Sequence, residues 1–268
     1  YTSNAAGTIT GLGNEAVTLT DTSINASALI TLDAFTTGII NASSITTLTG
    51  SATDQATVRA SSGITGLPGN HIVGGFTQIG SDIDGEAAGD HSGALSLSAD
   101  GNTVAIGAYF NDGNGTDSGH VRIYKNVNNT WTQVGGDIDG EAANDWSGFS
   151  VSLSSDGSVV AIGAYRNDGN GSNSGHVRIY QNINGNWTQI GSDIDGEAPT
   201  DRSGLSVNLS SDGSVVAIGA YLNSGNGNGS GHVRIYKNVN NTWTQIGSDI
   251  DAEAANDWSG FSVSLSSD

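Results

Sequence analysis

The sequence predicts a mainly β protein in which four-stranded antiparallel blades of a partial β-propeller follow a short β/α solenoid-like repeat segment. Three observations support this fold class. A long repeat recurs through residues 71–268, each copy contains four short apolar segments separated by turn dipeptides, and residues 1–70 carry a different, shorter repeat.

The long repeat is marked by an aromatic residue followed by Thr-Gln, an aliphatic residue and Gly. It begins at Phe76, Trp131, Trp187 and Trp243, at intervals of 55, 56 and 56 residues. Four antiparallel strands in a repeat of this length match one propeller blade. A single blade has two apolar faces that it cannot bury by itself, so neighbouring blades must cover them.

The second long repeat shows how the strands of a blade are predicted. Apolar runs bounded by turn residues give strand A at 147–153, strand B at 159–164, strand C at 176–180 and strand D at 187–191. Asp156-Gly157, between strands A and B, favours a type I′ turn, in which both central residues have positive φ. Asn184-Gly185 predicts a second hairpin, between strands C and D.

Residues 1–70 predict strand–helix units of about 26 residues, typical of a solenoid. Short strands are expected at 17–19 and 45–48, each followed by a short helix. Asn25 or Ser27 is the predicted N-cap of the first helix. The apolar face of that helix would be formed by Leu29, Leu32 and Phe35. Residues 67–70 contain Pro and Gly and mark the expected boundary with the blades.

Both ends of the sequence fall inside repeats. Residues 1–7 resemble 57–63, the end of a helical unit, and residues 261–268 repeat strand A and stop where the next turn should follow. Counted from Phe76, the chain contains one strand D, three full repeats and a last strand A, which cannot close a propeller alone. We therefore expect further blades in a longer protein, or blades supplied by a second copy through domain swapping.

The composition restricts the partners. With 27 acidic and 8 basic residues the net charge is −19, which disfavours nucleic acid and anionic membranes and attracts hard cations such as calcium. The chain has no cysteine, which excludes disulfides and thiolate metal sites. No apolar segment reaches the ~18–20 residues of a membrane-spanning helix. These features favour an exported bacterial protein, extracellular or at the cell surface.

The strongest candidate metal site is the connector between strand D and the next strand A. Carboxylates occupy positions 1, 3, 5 and 9 of this connector, a spacing that resembles loops in which alternate side chains converge on calcium. The four copies comprise Asp82, Asp84, Glu86 and Asp90; Asp137, Asp139, Glu141 and Asp145; Asp193, Asp195, Glu197 and Asp201; and Asp249, Asp251, Glu253 and Asp257. The alternative is a solvated acidic connector whose last Asp caps a turn.

Two other features have competing interpretations. The B–C loop at 111–117 offers oxygen atoms for calcium, but turn chemistry alone explains its Asn and Gly content. His120, His176 and His232 occupy one repeat position, which favours packing or hydrogen bonding between blades over a catalytic role.

One repeat position just before strand A varies in residue type and holds His91, Trp146, Arg202 and Trp258. A position of this kind either faces outward, where an aromatic side chain could contact sugar or protein, or is partly buried between blades. No nucleophile–His–Asp arrangement, phosphate-binding loop or zinc-ligand cluster stands out in the sequence, so we expect that the chain is not an enzyme.

The motifs of strands A to C resemble FG-GAP repeats, the blades of integrin-α-like propellers. Gly148-Phe149-Ser150-Val151, Gly163-Ala164-Tyr165 and Gly175–Tyr180 match the family's three motifs in order, and the neighbouring repeats contain equivalent segments. The resemblance extends over residues 76–268 and implies a propeller that acts in cell adhesion or in a matrix. Residues 1–70 resemble the Thr-, Ala- and Ser-rich repeats of giant bacterial surface proteins.

The departures from the family pattern affect the expected metal site. Ser147 stands where the family has Phe, and Tyr165 replaces Pro. The family's calcium ion commonly sits in the hairpin between strands A and B. Here residues 154–157 offer too few oxygen atoms for about six to eight ligands, so that site is not transferred to this turn.

The first functional hypothesis is an extracellular structural or adhesive repeat protein, stabilised by calcium, whose propeller serves as a binding platform or spacer. Its ligand would be a protein or glycan on a cell surface or in the matrix, with self-association as a further option. Two alternatives stay open because fold does not dictate function: an accessory region of a larger secreted enzyme, and a subunit of an extracellular filament.

Overall fold

The chain separates into two compact units, Tyr1–Gln78 and Ile79–Asp268. The computed structural model describes residues 13–67 and 78–266. The repeat predicted at 1–7 lies outside these residues, and the boundary at 67–70, the first strand D and the last strand A lie partly outside them. No helix in the described part of the chain is long and apolar enough to cross a membrane.

The first unit stacks parallel strands and two helices. In chain order it contains β1 (Val17–Thr18), β2 (Ser23–Asn25), α1 (Ala26–Asp33), β3 (Ile40–Asn41), β4 (Thr47–Thr49), α2 (Ala52–Ala60) and β5 (Ile64–Thr65). Strands β1, β3 and β5 form one parallel sheet, and β2 pairs with β4 in a second. The predicted β/α solenoid-like segment is confirmed.

The repeat of this unit is shorter than predicted. Val17 pairs with Ile40, and Ile40 pairs with Ile64, so the parallel strands are offset by 23 and 24 residues. The segments predicted as equivalent strands belong to different sheets, since β1 pairs with β3 whereas Leu48 of β4 pairs with Ile24. The two predicted helices are confirmed, but the strand directly before the first helix is β2 rather than the strand predicted at 17–19.

The first helix begins at its predicted cap. The side chain of Asn25 accepts a hydrogen bond from the backbone N–H of Ser27 at 2.9 Å. Leu29 is fully buried in the core of the unit, as its helical spacing predicted. Phe35 lies beyond the end of α1 and is exposed, so it does not contribute to the apolar face.

In the second unit each long repeat forms one antiparallel sheet, which confirms the predicted blades. Blade 1 contains β6 (Ser92–Leu97), β7 (Thr103–Ala108), β8 (His120–Val127), β9 (Thr130–Gln133) and β10 (Ile138–Asp139). Blade 2 contains β11 (Ser150–Leu153), β12 (Val159–Ala164), β13 (His176–Ile183), β14 (Asn186–Gln189) and β15 (Ile194–Asp195). Blade 3 contains β16 (Ser203–Leu209), β17 (Val215–Ala220), β18 (His232–Val239), β19 (Thr242–Gln245) and β20 (Ile250–Asp251). The first four strands of each blade are strands A to D, in that order across the sheet.

The fifth strand of each blade was not predicted. In blade 2, β14 pairs with residues 180–183 of β13, whereas β15 pairs with His176 and Val177 farther along the same edge. The chain leaves the sheet between β14 and β15. This interruption brings Asp193, which directly precedes β15, beside His176.

The two predicted hairpin turns of blade 2 have different outcomes. Asn184 and Gly185 both have positive φ, of 53° and 86°, as a type I′ turn requires. At Asp156-Gly157 only Gly157 has positive φ, so the type I′ prediction is wrong there. The Gly157 N–H donates to the carbonyl of Ser154 at 2.9 Å, and the side chain of Asp156 accepts from the Ser154 hydroxyl, which closes the loop.

Neighbouring blades bury each other's faces. Successive side chains of a strand point to opposite faces of a sheet. Accordingly Val160 and Ile162 of β12 join a core shared with blade 1, whereas Val159 and Ala161 join a core shared with blade 3. This explains why strand B is nearly all apolar: both of its faces are covered.

Hydrogen bonds between blades recur at the same repeat positions. The indole N–H of Trp187 donates to the carbonyl of Val134 in the preceding blade at 2.9 Å, and Trp243 repeats this bond to Ile190 at 2.8 Å. The hydroxyl of Ser152 accepts from the N–H of Leu209 at 2.9 Å. The repeat therefore encodes the junction between blades as well as each blade itself.

Candidate functional site

A histidine at the start of strand C lies beside two connector carboxylates. In blade 2 His176 is buried, and its Nδ1 lies 3.7 Å from Glu141 Oε2 and 3.7 Å from Asp193 Oδ2. Glu141 belongs to the connector that enters the blade, and Asp193 to the connector that leaves it. The three candidate ligand atoms lie within 4.8 Å of one another. We name this arrangement the junction cluster.

The junction cluster occurs once in each complete blade. In blade 1 it consists of Glu86, His120 and Asp137, with distances from Nδ1 of 3.8 and 3.9 Å. In blade 3 it consists of Glu197, His232 and Asp249, with distances of 3.9 and 3.7 Å. The same three residue types at the same repeat positions thus meet three times.

Neighbouring side chains fix the orientation of both carboxylates. In blade 2 the amide of Gln189 donates to Asp193 Oδ1 at 2.6 Å, and Arg178 contacts Glu141 Oε1. The other oxygen of each carboxylate faces His176. The outer blades repeat both contacts: Gln133 to Asp137 at 2.6 Å, Gln245 to Asp249 at 2.7 Å, Arg122 to Glu86 at 3.5 Å and Arg234 to Glu197 at 3.7 Å.

Burial favours the neutral form of two of the imidazoles, those of His176 and His232. It lowers the pKa of His176 below 6.5, against the opposing influence of the Asp193 carboxylate. Burial also lowers the pKa of His232, with a further contribution from the Arg234 charge. Both rings are therefore neutral near pH 7 and can present a nitrogen lone pair. Neither ring nitrogen of His232 has a hydrogen-bond partner within the described residues.

The four carboxylates of one connector, which were predicted to bind one calcium ion together, lie in different environments. Asp137 belongs to the junction cluster of blade 1, and Glu141 to that of blade 2. Asp145 is buried and accepts hydrogen bonds from the Ala142 N–H at 3.1 Å and the Asn167 amide at 2.9 Å. Within the described residues, no three carboxylates of one connector group within 4.8 Å. Calcium binding by the connectors stays a prediction.

The carboxylates of the other three connectors are distributed in the same way. Asp90, Asp201 and Asp257 each accept a hydrogen bond from a backbone N–H three residues earlier, so the last Asp caps a turn in every copy. The remaining predicted residues are exposed: Asp82, Asp84, Asp139, Asp195, Asp251 and Glu253. In the B–C loop, Asn111 accepts from the Gly113 N–H at 2.8 Å, as turn chemistry predicts.

The variable position before strand A has a strained backbone. His91, Trp146, Arg202 and Trp258 all have positive φ, between 52° and 60°. Bulky residues rarely adopt this conformation, and such strain is concentrated at functional sites.

The side chains at this position join a row of aromatic rings. Trp146 packs against Phe110 and Tyr165, with ring centroids 4.7 and 5.6 Å apart, and the Arg166 guanidinium lies 3.5 Å above the Trp146 ring. We name the full set the aromatic face: His91, Tyr109, Phe110, Trp146, Phe149, Tyr165, Arg166, Arg202, Tyr221, Trp258 and Phe261.

Exposure varies along the aromatic face. Tyr165 is buried and Trp146 is half-buried, whereas Trp258 is 52% exposed and Phe261 is 61% exposed. Both interpretations of the variable position therefore apply, each to different blades. The face also carries Arg166 and Arg202, two of the eight basic residues in this acidic chain.

The repeated four-stranded sheets and their shared cores define a β-propeller-like protein. Within it, residues 138–180 match the FG-GAP repeat family, a segment that runs from β10 through the connector to strand C of blade 2. The match confirms the FG-GAP resemblance for this blade. A specific likeness to integrin propellers, and that of residues 1–70 to giant surface proteins, stay predictions.

The solved structures to which this chain is similar have low sequence identity to it. A protein from Bacteroides uniformis named as a 6-phosphogluconolactonase is 17% identical, with a TM-score of 0.42 over 60% of this chain and 41% of that one. Hydrazine synthase from Kuenenia stuttgartiensis is 12% identical, with a TM-score of 0.40 over 67% and 42%. This chain thus spans less than half of either protein. No curated protein matches the sequence.

The expectation that the chain is not an enzyme is corrected. The similar structures include the protein named as a 6-phosphogluconolactonase and a periplasmic gluconolactonase from Pseudomonas aeruginosa, the latter 14% identical with a TM-score of 0.31 over 59% and 56% of the two chains. Proteins named as enzymes are thus among those to which this chain is similar, and the absence of a familiar sequence motif does not exclude catalysis. At this level of identity the likeness concerns the fold and assigns no activity to this chain.

Proposed function

We propose that the chain belongs to an extracellular or cell-surface protein and that its blades recognise a neutral glycan through the aromatic face. The observation that carries the proposal is the strained position before strand A. It keeps one backbone conformation in all four copies while its side chain changes among His, Trp and Arg. A position with a constant backbone conformation and a variable planar side chain is more typical of a recognition surface than of a purely structural turn.

The chemistry of the aromatic face supports a sugar ligand. Aromatic rings offer flat apolar surfaces, and Trp and Tyr also offer polar hydrogen-bonding atoms. Trp258 and Phe261 present such surfaces to solvent, because their side chains are 52% and 61% exposed.

The charge of the chain favours a neutral glycan over an acidic one. The net charge of −19 repels polyanions at long range. Arg166 and Arg202 stack on the rings of Trp146 and Tyr165 and can donate to sugar hydroxyls without requiring an anionic group. A cell-surface or matrix glycan would fit the exported setting that the composition predicts.

The test is binding of the fluorescently labelled chain to an array of neutral glucans, mannans and galactans, followed by titration with the best ligand. Trp258→Ala removes a 52% exposed ring, so we expect intact folding and a Kd weakened by about three- to tenfold, corresponding to ~0.5–1.5 kcal/mol for one aromatic contact. The matched control is Val239→Ala, an equally exposed apolar residue at the end of strand C in blade 3, which should leave the Kd unchanged.

Two outcomes would overturn the proposal. One is the absence of binding to every neutral glycan by folded protein, including the case in which only a matrix protein binds. The other is an equal loss of affinity in Trp258→Ala and Val239→Ala, which would show that the aromatic face has no special role.

A further inference from the structure

We propose that each junction cluster binds one divalent transition-metal ion, best matched by zinc, so that the chain holds three such ions. This inference is independent of the aromatic face, which lies on other residues. It also differs from calcium binding within one connector, because each cluster combines carboxylates from two successive connectors with a histidine from strand C.

The spacing of the ligand atoms suits a small ion. Zinc bound at ~2.0–2.2 Å in tetrahedral geometry separates its ligands by roughly 3.3–3.6 Å. The distances from Nδ1 to the two carboxylate oxygens are 3.7 to 3.9 Å in all three clusters. A contraction of a few tenths of an ångström brings each carboxylate oxygen to this spacing from Nδ1, and the three atoms all lie within 4.8 Å of one another.

The donor set selects the class of metal. Calcium takes about six to eight oxygen ligands, and imidazole nitrogen is a poor ligand for it. One imidazole and two carboxylates suit zinc and related transition metals, which use three protein ligands and leave a position for water. The acidic residues supply two negative charges at each cluster, and the nearby arginine offsets one of them.

The histidine of blade 3 provides the independent observation. His232 is 1% exposed, and neither of its ring nitrogens has a hydrogen-bond partner within the described residues. Its Nδ1 faces Asp249 Oδ2 at 3.7 Å and Glu197 Oε2 at 3.9 Å, which is too long for a hydrogen bond. A buried nitrogen without a partner is costly, and a metal ion between it and the two carboxylates would satisfy all three groups.

The surroundings resemble the outer shell of a metal site. Ligating carboxylates are held by hydrogen bonds to neighbouring groups, which orient the free oxygen toward the ion. In blade 2, Gln189 holds one oxygen of Asp193 and Arg178 holds one oxygen of Glu141, while the other two oxygens face His176. An ion there would connect the entering connector, strand C and the leaving connector of one blade.

The experiment is equilibrium dialysis of the full chain against Zn²⁺ after chelator treatment, with metal content measured by mass spectrometry. We expect about three Zn²⁺ per chain and a higher melting temperature than for the metal-free protein. Co²⁺ should replace Zn²⁺ and give the visible absorption bands of a low-coordinate site. Ca²⁺ at the same concentration should not displace either metal.

Matched variants locate the ions. His232→Gln and Asp249→Asn should each lower the content from three Zn²⁺ to two, and the triple substitution of His120, His176 and His232 by Gln should abolish binding. His91→Gln, an exposed histidine outside the clusters, should retain three. Circular dichroism of the metal-free variants shows which of them are folded. If a histidine variant does not fold, the Zn²⁺ content of Asp249→Asn still tests the proposal.

Three results would overturn the proposal: folded wild-type protein that retains no Zn²⁺, Zn²⁺ binding that survives in the folded triple variant, or exclusive retention of Ca²⁺ with no dependence on the histidines.

Discussion

A methyl group added at Gly163 tests how closely neighbouring blades pack. Gly163 lies on strand B of blade 2, and its φ is not positive, so alanine is compatible with its backbone. A Cβ at this position would overlap the carbonyl oxygen of Gly204, at the start of strand A in blade 3, and the Ser150 hydroxyl. The hydroxyl can rotate away, but a backbone carbonyl cannot, so the two blades must move apart.

Overpacking of this kind costs about 1–3 kcal/mol. In a unit of about 150–250 residues each kcal/mol lowers Tm by ~2–4 °C, so Gly163→Ala should lower Tm by about 2–12 °C. Differential scanning calorimetry of the full chain measures this shift.

Gly136→Ala is the matched control, because a Cβ there meets no atom within 4 Å and φ is not positive. It should leave Tm within ~2 °C of wild type. An unchanged Tm for Gly163→Ala, or equal falls for both variants, would refute the close approach of strand B to the next blade.

Three further predictions concern the blades. Ile179→Ala removes a side chain that is 1% exposed in the core shared by blades 2 and 3. It should lower the free energy of unfolding, measured by urea denaturation, by about 2–5 kcal/mol, and an unchanged midpoint would contradict the burial of Ile179 between the blades. Trp187→Phe removes the indole donor to the Val134 carbonyl and should cost ~1 kcal/mol in the same assay, whereas an unaltered free energy would show that this bond contributes nothing. The Ser210 and Ser214 hydrogen bonds lower the pKa of Asp212 to about 2. The stability that this carboxylate adds to the folded chain is therefore fully present above the unfolded pKa of ~3.9 and is lost as pH falls through about 2. Asp212→Asn should therefore show a smaller fall in Tm than wild type between pH 5 and pH 2, and identical falls would contradict this assignment.

The sequence predicts the blades well where a strand has a simple pattern. The apolar run 159–164 gives the observed bounds of β12, because a strand covered on both faces has no polar positions to obscure it. Asn25, one of the two predicted caps, is confirmed, and it could be predicted because its side chain acts on the adjacent backbone. Local chemistry of this kind needs no tertiary information.

Features that depend on tertiary pairing were harder to predict. The sequence predicts strand D at 187–191 followed by a connector, but the start of that connector forms β15, which pairs with a different part of β13 from β14. The Asp156-Gly157 dipeptide favours a type I′ turn, yet the serine–aspartate hydrogen bond at Ser154 stabilises a longer loop. In both cases contacts made elsewhere in the blade decide the local conformation.

The junction cluster shows the same limit at the candidate site. The sequence spacing groups carboxylates that are adjacent along one connector, whereas the fold brings together Glu141 and Asp193, which lie in successive connectors. The recurrence of His176 in each blade favours packing or hydrogen bonding between blades over a catalytic role. That recurrence, taken together with the recurring acidic positions, was the available signal that histidine and carboxylates form one repeated site.

In this fold each blade is stable only when the next blade covers it. Native-state hydrogen exchange at Val177 and Ile179, whose side chains lie in the core shared with blade 3, tests this most directly when the full chain is compared with a chain truncated after Arg202. We predict that truncation accelerates exchange at both amides by at least about tenfold, since about 1.4 kcal/mol or more of local stability is lost. Equal exchange rates in the two chains would show that the blades fold as independent units and would contradict the account.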